Sequence, residues 1–170
     1  VWDAEMILPY KQIDESLDMI MNGKAAMVIP YDQTVLFLSE EQTVASLRAD
    51  SILEHLQLHS ASYRRWLGRP SCGGLFFVNR EVYLKCGGEN EHFYGWGPED
   101  AERVRRMEIL GYPVGVNTEG PLYHLWHPRG DNSRFFNRQL ASNSRLELIR
   151  ICNMDTKELT DDVASWRNRK

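Results

Sequence analysis

An indole flanked by glycines and followed at once by two carboxylates stands at Gly95-Trp96-Gly97-Pro98-Glu99-Asp100. A tryptophan so placed can lie flat against the apolar C–H face of a sugar. Glu99 and Asp100 fall in the first turn of an expected helix, where the helix dipole favours an ionised acid. Together these groups suit holding a saccharide and taking a proton from one of its hydroxyls. They equally suit a plain helix start, with Pro98 as the first helical residue, the acids facing the dipole and Trp96 in a core.

Two further groups bear on the choice. The chain opens Val1-Trp2-Asp3-Ala4-Glu5-Met6-Ile7-Leu8-Pro9. On a strand, residues two apart share a side, so Asp3 and Glu5 would converge and repel unless a divalent cation or solvent neutralised them. Oxygen ligands of this type suit magnesium or manganese. A frayed, solvated edge is the alternative. Later, His124 and His127 lie three apart in Leu122-Tyr123-His124-Leu125-Trp126-His127-Pro128-Arg129-Gly130. Two imidazoles at that spacing can reach one ion if the backbone turns between them, or can be ordinary histidines.

Read in order, the acidic pair after an apolar run, Cys72-Gly73-Gly74-Leu75-Phe76-Phe77-Val78, Gly87-Gly88, the Gly-Trp-Gly-x-Glu-Asp block and the histidine pair resemble the galactosyltransferase family. More narrowly, they resemble the catalytic and acceptor-binding half of β-1,4-galactosyltransferases and of bacterial family 2 relatives that build surface polysaccharides. The likeness runs from about Val1 to about Arg129, and the Gly-Trp-Gly-x-Glu-Asp block is its most specific part. It implies an α/β fold with a mixed sheet flanked by helices, the C-terminal half of a GT-A nucleotide-diphospho-sugar transferase, followed by a helical C-terminus.

The resemblance also implies roles. Asp3 and Glu5 stand where the family has its Asp-x-Asp motif, which holds manganese (or magnesium) against the diphosphate of a nucleotide sugar. Glu5 replaces the usual second Asp. His127 matches the metal-binding histidine, and His124 stands where some members place a methionine ligand. Asp100 corresponds to the catalytic base, with Glu99 and Trp96 as acceptor-binding neighbours. Gly73, Gly74 and Gly97 would let backbone approach a ligand closely. The implied reaction inverts the anomeric centre in a single displacement, moving a galactosyl or N-acetylgalactosaminyl group from a UDP-sugar donor to a saccharide acceptor. Two other readings remain open: a non-catalytic carbohydrate-binding or assembly module, and a metal-assisted hydrolase whose acids activate water.

Composition sets limits. With 170 residues, 42% apolar, the chain can bury one core and reads as a single globular unit, with a galactosyltransferase-like region over about 1–130 and a helical tail after it. A net charge of −4 and no long basic run argue against a nucleic-acid partner, although 166–170 is locally basic. Three cysteines without metal-type spacing point to a reduced, cytoplasmic setting, with peripheral membrane association as a variant. No apolar stretch is long enough to span a membrane. The first residue is not Met, and the family's nucleotide-binding β-α half has no counterpart here. A missing N-terminal half or a partner chain is therefore expected.

The elements that must position these groups alternate along the chain. Val1–Leu8 is expected as a strand and Lys11–Met21 as a helix with Ile13, Leu17, Ile20 and Met21 on its core face. Ala25–Ile29 and Thr34–Leu38 follow as strands, then one helix capped by Ser39 and running to about Leu58. Residues 60–71, with Arg64, Arg65, Trp66 and Arg69, read as a loop whose arginines face phosphate, an acidic sugar or solvent. Leu75–Val78 is a strand, Arg80–Lys85 a short helix capped by Asn79, and Glu99–Leu110 a helix closed by Gly111. Tyr112–Asn117 and Leu122–Leu125 are strands. Helices over about 133–152, packing through Phe136, Leu140 and Ile149, and over Thr156–Trp166 complete the pattern. Residues 127–132 read as a lid or as an ordinary connection. His55 and His59, four apart on a helix, are ordinary histidines or a shared metal pair. Glu89, Glu91 and His92 flank the tryptophan block and are not assigned a role.

Overall fold

The computed structural model describes residues 1–94, 97–128, 130 and 137–166. Among these, the elements are β1 (Met6–Ile7), α1 (Tyr10–Met21), β2 (Met27–Ile29), β3 (Val35–Phe37), α2 (Glu40–Arg48), α3 (Ile52–Leu58), β4 (Arg64–Arg65), β5 (Phe77–Val78), α4 (Arg80–Lys85), α5 (Glu99–Ile109), β6 (Val114–Val116), β7 (Leu122–His124), α6 (Arg138–Cys152) and α7 (Thr156–Trp166). The fold is mixed α/β, as expected. One sheet has the order β1-β7-β3-β4, in which β7 and β3 are parallel and both outer pairings antiparallel. A second sheet has the order β5-β2-β6. No described helix is long and apolar enough to cross a membrane.

The chain groups into two compact units. The first comprises Val1–Lys24, Val28–Phe77 and Gly115–Pro128. Its four-stranded sheet is fastened by β7, whose Leu122, Tyr123 and His124 are all buried. Leu38, Leu56, Tyr63 and Tyr123 pack together there, with Ile7, Leu36, Ile52 and Leu125 against them. Burial of these apolar groups supplies the main driving force for this unit.

The second unit comprises Ala25–Met27, Val78–Val114 and the described residues after Pro128. Helix α5 packs on α6 and α7. Ile151, Leu159 and Val163 form a core with Ile109, Leu110, Met154 and Trp166. Beside it Arg106, 1% exposed, meets Glu102 at 2.8 Å and donates to the carbonyls of Cys86 and Gly88, which lie just beyond the end of α4. The buried guanidinium is thus paired and also satisfies two carbonyls of the turn that follows α4.

Several expectations are corrected. The opening strand shrinks to Met6–Ile7, because the Met6 amide donates to the Asp3 carbonyl at 3.0 Å and closes a turn over the residues between. The helix expected from Ser39 to Leu58 is two helices: the Ser39–Gln42 capping box starts α2, Ala49 turns extended, and Ser51 caps α3 by accepting from the Glu54 amide. Within the expected loop at 60–71 lie a 3-10 turn, Ser60–Ser62, and β4. Helix α1 is turned from part of its apolar stripe: Gln12 and Ser16 are buried and Ile13 and Ile20 half-buried, while Leu17 and Met21 are 42% and 81% exposed. Polar pairing turns it so, since Gln12 Nε2 donates to the Pro30 and Gly120 carbonyls and Asn117 Nδ2 donates to the Gln12 carbonyl and Ser16 Oγ. The expected start of α6 near 133 and its Phe136 lie outside the described residues; Asn137 caps the described helix. It buries Ala141, Ser144 and Ile151, and Ile149 is exposed instead.

Candidate functional site

Three of the four expected metal ligands come together in the first unit. The pairing of β1 with β7 sets Met6 beside His124, and the Leu125 amide then donates to the Glu5 carbonyl at 2.9 Å. Glu5 therefore stands at the end of β7, from which His127 follows three residues after His124. Glu5 Oε1 lies 3.8 Å from His124 Nε2 and 3.5 Å from His127 Nε2. The ligand atoms of all three residues lie within 4.8 Å of one another.

The other ring nitrogens define the chemistry. His124 Nδ1 lies 2.7 Å from the Leu125 carbonyl, and His127 Nδ1 lies 3.0 Å from the Pro128 carbonyl. A carbonyl only accepts, so each Nδ1 carries a proton, and a neutral imidazole then presents its Nε2 lone pair towards Glu5. Metal-binding histidines commonly have this outer hydrogen bond. The separations from Glu5 exceed a good hydrogen bond but match groups arranged around one small cation at about 2 Å bonds. Two imidazoles and one carboxylate suit manganese better than magnesium, which favours all-oxygen shells.

Asp3 does not join this group among the described residues. It lies in the opening turn, exposed, with its amide donating to the Gly74 carbonyl at 3.0 Å. The expected convergence with Glu5 required a strand that the turn replaces.

The acidic pair lies in the second unit, at the start of α5, with Pro98 at the capping position. Arg103 donates to Asp100 Oδ1 at 2.8 Å and grips Glu89 with two further bonds of 2.8 Å. Glu89 also accepts from the Tyr83 hydroxyl at 2.6 Å. These donors outweigh burial and hold the Glu89 carboxyl below its ordinary range. Glu99 differs. Its Oε2 is buried with no hydrogen-bond partner among the described residues, and burial, followed by the neighbouring Asp100 charge, pushes its carboxyl up to about 7. One helix turn thus carries a carboxyl clamped by a guanidinium and an acid poised near neutrality. Trp96 lies outside the described residues, as do Arg129 and residues 131–132 of the lid expected over 127–132.

The glycines have local reasons. Gly74 has φ +84, and a Cβ there would meet Met6 Cε at 2.6 Å and Leu122 Cδ2 at 3.5 Å, so packing beneath β1 and β7 explains it. The Gly73 carbonyl accepts from the Tyr31 hydroxyl at 2.7 Å. A Cβ on Gly97 would approach Glu99 Oε2 and Ser144 Oγ at 3.4 Å. His55 and His59 touch, with ring centroids 4.4 Å apart, but no third ligand joins them among the described residues. His92 pairs with Glu147 at 3.4 Å. The Arg103 clamp on Asp100 was not expected, although the three-residue spacing of Asp100 and Arg103 along a helix was its signal.

A sequence family described as the N-terminal domain of galactosyltransferase matches residues 54–128. That stretch includes both histidines, both candidate acids, Trp96 and the glycines, but not Glu5. Beta-1,4-galactosyltransferase 7 of human and of mouse is 34% identical over 61 residues, which is 33% of this chain and 19% of each relative. The Drosophila melanogaster protein of the same name is 28% identical over 82 residues, covering 43% of this chain and 26% of its own length. The matched stretch thus spans about a fifth to a quarter of these animal relatives. The mixed α/β architecture agrees with a GT-A-like glycosyltransferase fold, and over residues 54–128 the chain is similar to galactosyltransferases.

Proposed function

We propose that this chain supplies the cation-binding and acceptor-side residues of a metal-dependent, inverting glycosyltransferase. The donor is a UDP-sugar, galactose or N-acetylgalactosamine, and the acceptor a saccharide. The convergence of Glu5, His124 and His127 carries the reading, because with each Nδ1 facing a carbonyl the two Nε2 atoms and the carboxylate form a ready donor set. The family match at 54–128 supports it.

In this reading Glu5, His124 and His127 hold a divalent cation, manganese before magnesium. Bound there, such an ion would supply positive charge against that growing on the departing diphosphate. The acceptor hydroxyl oxygen bonds to the anomeric carbon as the carbon–oxygen bond to phosphate breaks, and the hydroxyl proton passes to Asp100. Arg103 keeps the Asp100 carboxylate oriented through one oxygen. Trp96 stacks on the acceptor sugar, and Glu99 and Gly97 line its path.

Manganese titration followed by electron paramagnetic resonance tests the cation site. The chain should bind one manganese, and His127→Ala and Glu5→Gln should each weaken it at least tenfold; unchanged binding in both variants would reject the site. In the longest natural form carrying this chain, Asp100→Asn should slow transfer from UDP-galactose by orders of magnitude with donor affinity nearly intact. Saccharide binding with no donor or metal requirement would favour a lectin-like module. Equal sugar release with and without acceptor would favour a hydrolase.

A further inference from the structure

The imidazoles of the cation site do not stand alone. Trp66, Phe37, His124 and His127 form one continuous stack of rings. Successive centroids are 4.3, 3.9 and 5.3 Å apart, and successive planes differ by 19°, 22° and 21°. The guanidinium of Arg64 closes the far end, 5.7 Å from the Trp66 ring.

Sheet register creates the stack. Parallel pairing of β3 with β7 sets Phe37 beside His124, and antiparallel pairing of β3 with β4 sets Arg64 beside Phe37. Paired residues on adjacent strands share a face. Trp66 lies two residues beyond Arg64, so it falls on that face too, and its amide extends the pairing by donating to the Val35 carbonyl at 2.9 Å.

An imidazole binds a metal through a lone pair lying in its ring plane. Two orientations must therefore be set: rotation within the plane and tilt of the plane. The Nδ1 bonds to the Leu125 and Pro128 carbonyls set the rotation. They leave tilt soft, because a hydrogen bond tolerates broad angles at a carbonyl oxygen. A stacked ring on the imidazole face restrains tilt directly.

We propose that Phe37, backed by Trp66, is a positioning residue for the cation site. It fixes the plane of His124, and through it that of His127, so that both Nε2 lone pairs point to the side held by Glu5. The inference rests on the cation-site reading above, and it assigns a function to two aromatic side chains which touch neither the cation nor substrate.

Cobalt(II), titrated into the whole chain and followed by its visible absorption, is the probe. Glu5→Gln tests the site, whereas Phe37→Leu, Phe37→Tyr and Trp66→Leu test the stack. Phe37→Leu should weaken cobalt binding about tenfold and alter the visible bands, the size of effect usual for residues that orient metal ligands. Phe37→Tyr should restore both, and Trp66→Leu should give a smaller loss in the same direction. In the metal-free chain the ring protons of His124 should resonate upfield, and Phe37→Leu should remove that shift. If Glu5→Gln abolishes binding while Phe37→Leu keeps wild-type affinity and bands, the positioning role is wrong and the cation site stands. If Glu5→Gln binds as tightly as wild type, the cation site itself is wrong and the positioning role falls with it. Should Phe37→Leu not fold, wild-type binding by Trp66→Leu, or His124 ring protons at ordinary positions in the wild type, overturns the role.

Discussion

At the residue scale the two neighbouring acids of α5 divide by environment. Asp100 meets a guanidinium that also holds Glu89, while Glu99 has one oxygen buried with no partner among the described residues, and burial pushes its carboxyl up to about 7. Neighbouring acids in such different surroundings usually have different tasks. Glu99 ionises across the physiological range, so the reaction should sense its charge even with Asp100 as base. We expect the transfer rate of the wild-type protein to change between about pH 6 and 8, and Glu99→Gln to flatten that step while Asp100→Asn lowers the rate throughout. A step that persists in Glu99→Gln would assign it to another group. Sequence spacing placed both acids in the first turn but could not distinguish them, because the difference comes from burial and from Glu89, distant along the chain.

At the element scale most of the fold was legible, and the departures share a cause. Glycine, proline and capping residues punctuate the chain locally, so α4, α5 and α7 and the central strands fall where the pattern sets them. Helix α1 also falls where the pattern sets it, but its buried face is turned, because apolar periodicity cannot report that distant carbonyls and Asn117 require polar partners. Gln12→Leu should accordingly cost about 1–3 kcal/mol in urea denaturation, since it leaves the buried Pro30 carbonyl without that donor. Met21→Gln, on the apolar side, should stay within about 0.5 kcal/mol of wild type. The reverse ranking would mean that the apolar stripe of α1 is its packed face. The proposed cation ligands follow the same rule: His124 and His127 were legible as a local pair, whereas exchanging the Asp3–Glu5 strand for a turn depends on pairing with Gly74.

At the scale of the whole molecule, pH should act through carboxyls shifted in opposite senses. Burial raises the Glu147 carboxyl, but hydrogen bonds from Arg150 and Asn90 outweigh it and bring it down to about 2. A depressed acid contributes stability that is present above its unfolded value and lost as pH falls towards 2. Glu99 has the opposite sign: its folded form holds the proton more tightly than the unfolded chain, so stability falls as pH rises from about 4.5 to 7. Both groups belong to the second compact unit, whose thermal stability should therefore peak in mildly acidic solution. Glu99→Gln removes the neutral-side loss. After discounting for partial exposure, the penalty relieved at pH 8 is about 1 kcal/mol, or about 2–4 °C in a chain of this size. Melting curves from pH 3 to 9 should then show Glu99→Gln above wild type at pH 8 and converging with it below pH 5, while Glu147→Gln lies below wild type at pH 7 and approaches it near pH 3. Curves for Glu99→Gln that run parallel to wild type across the range would mean that its carboxyl titrates at the same pH in the folded and unfolded chain.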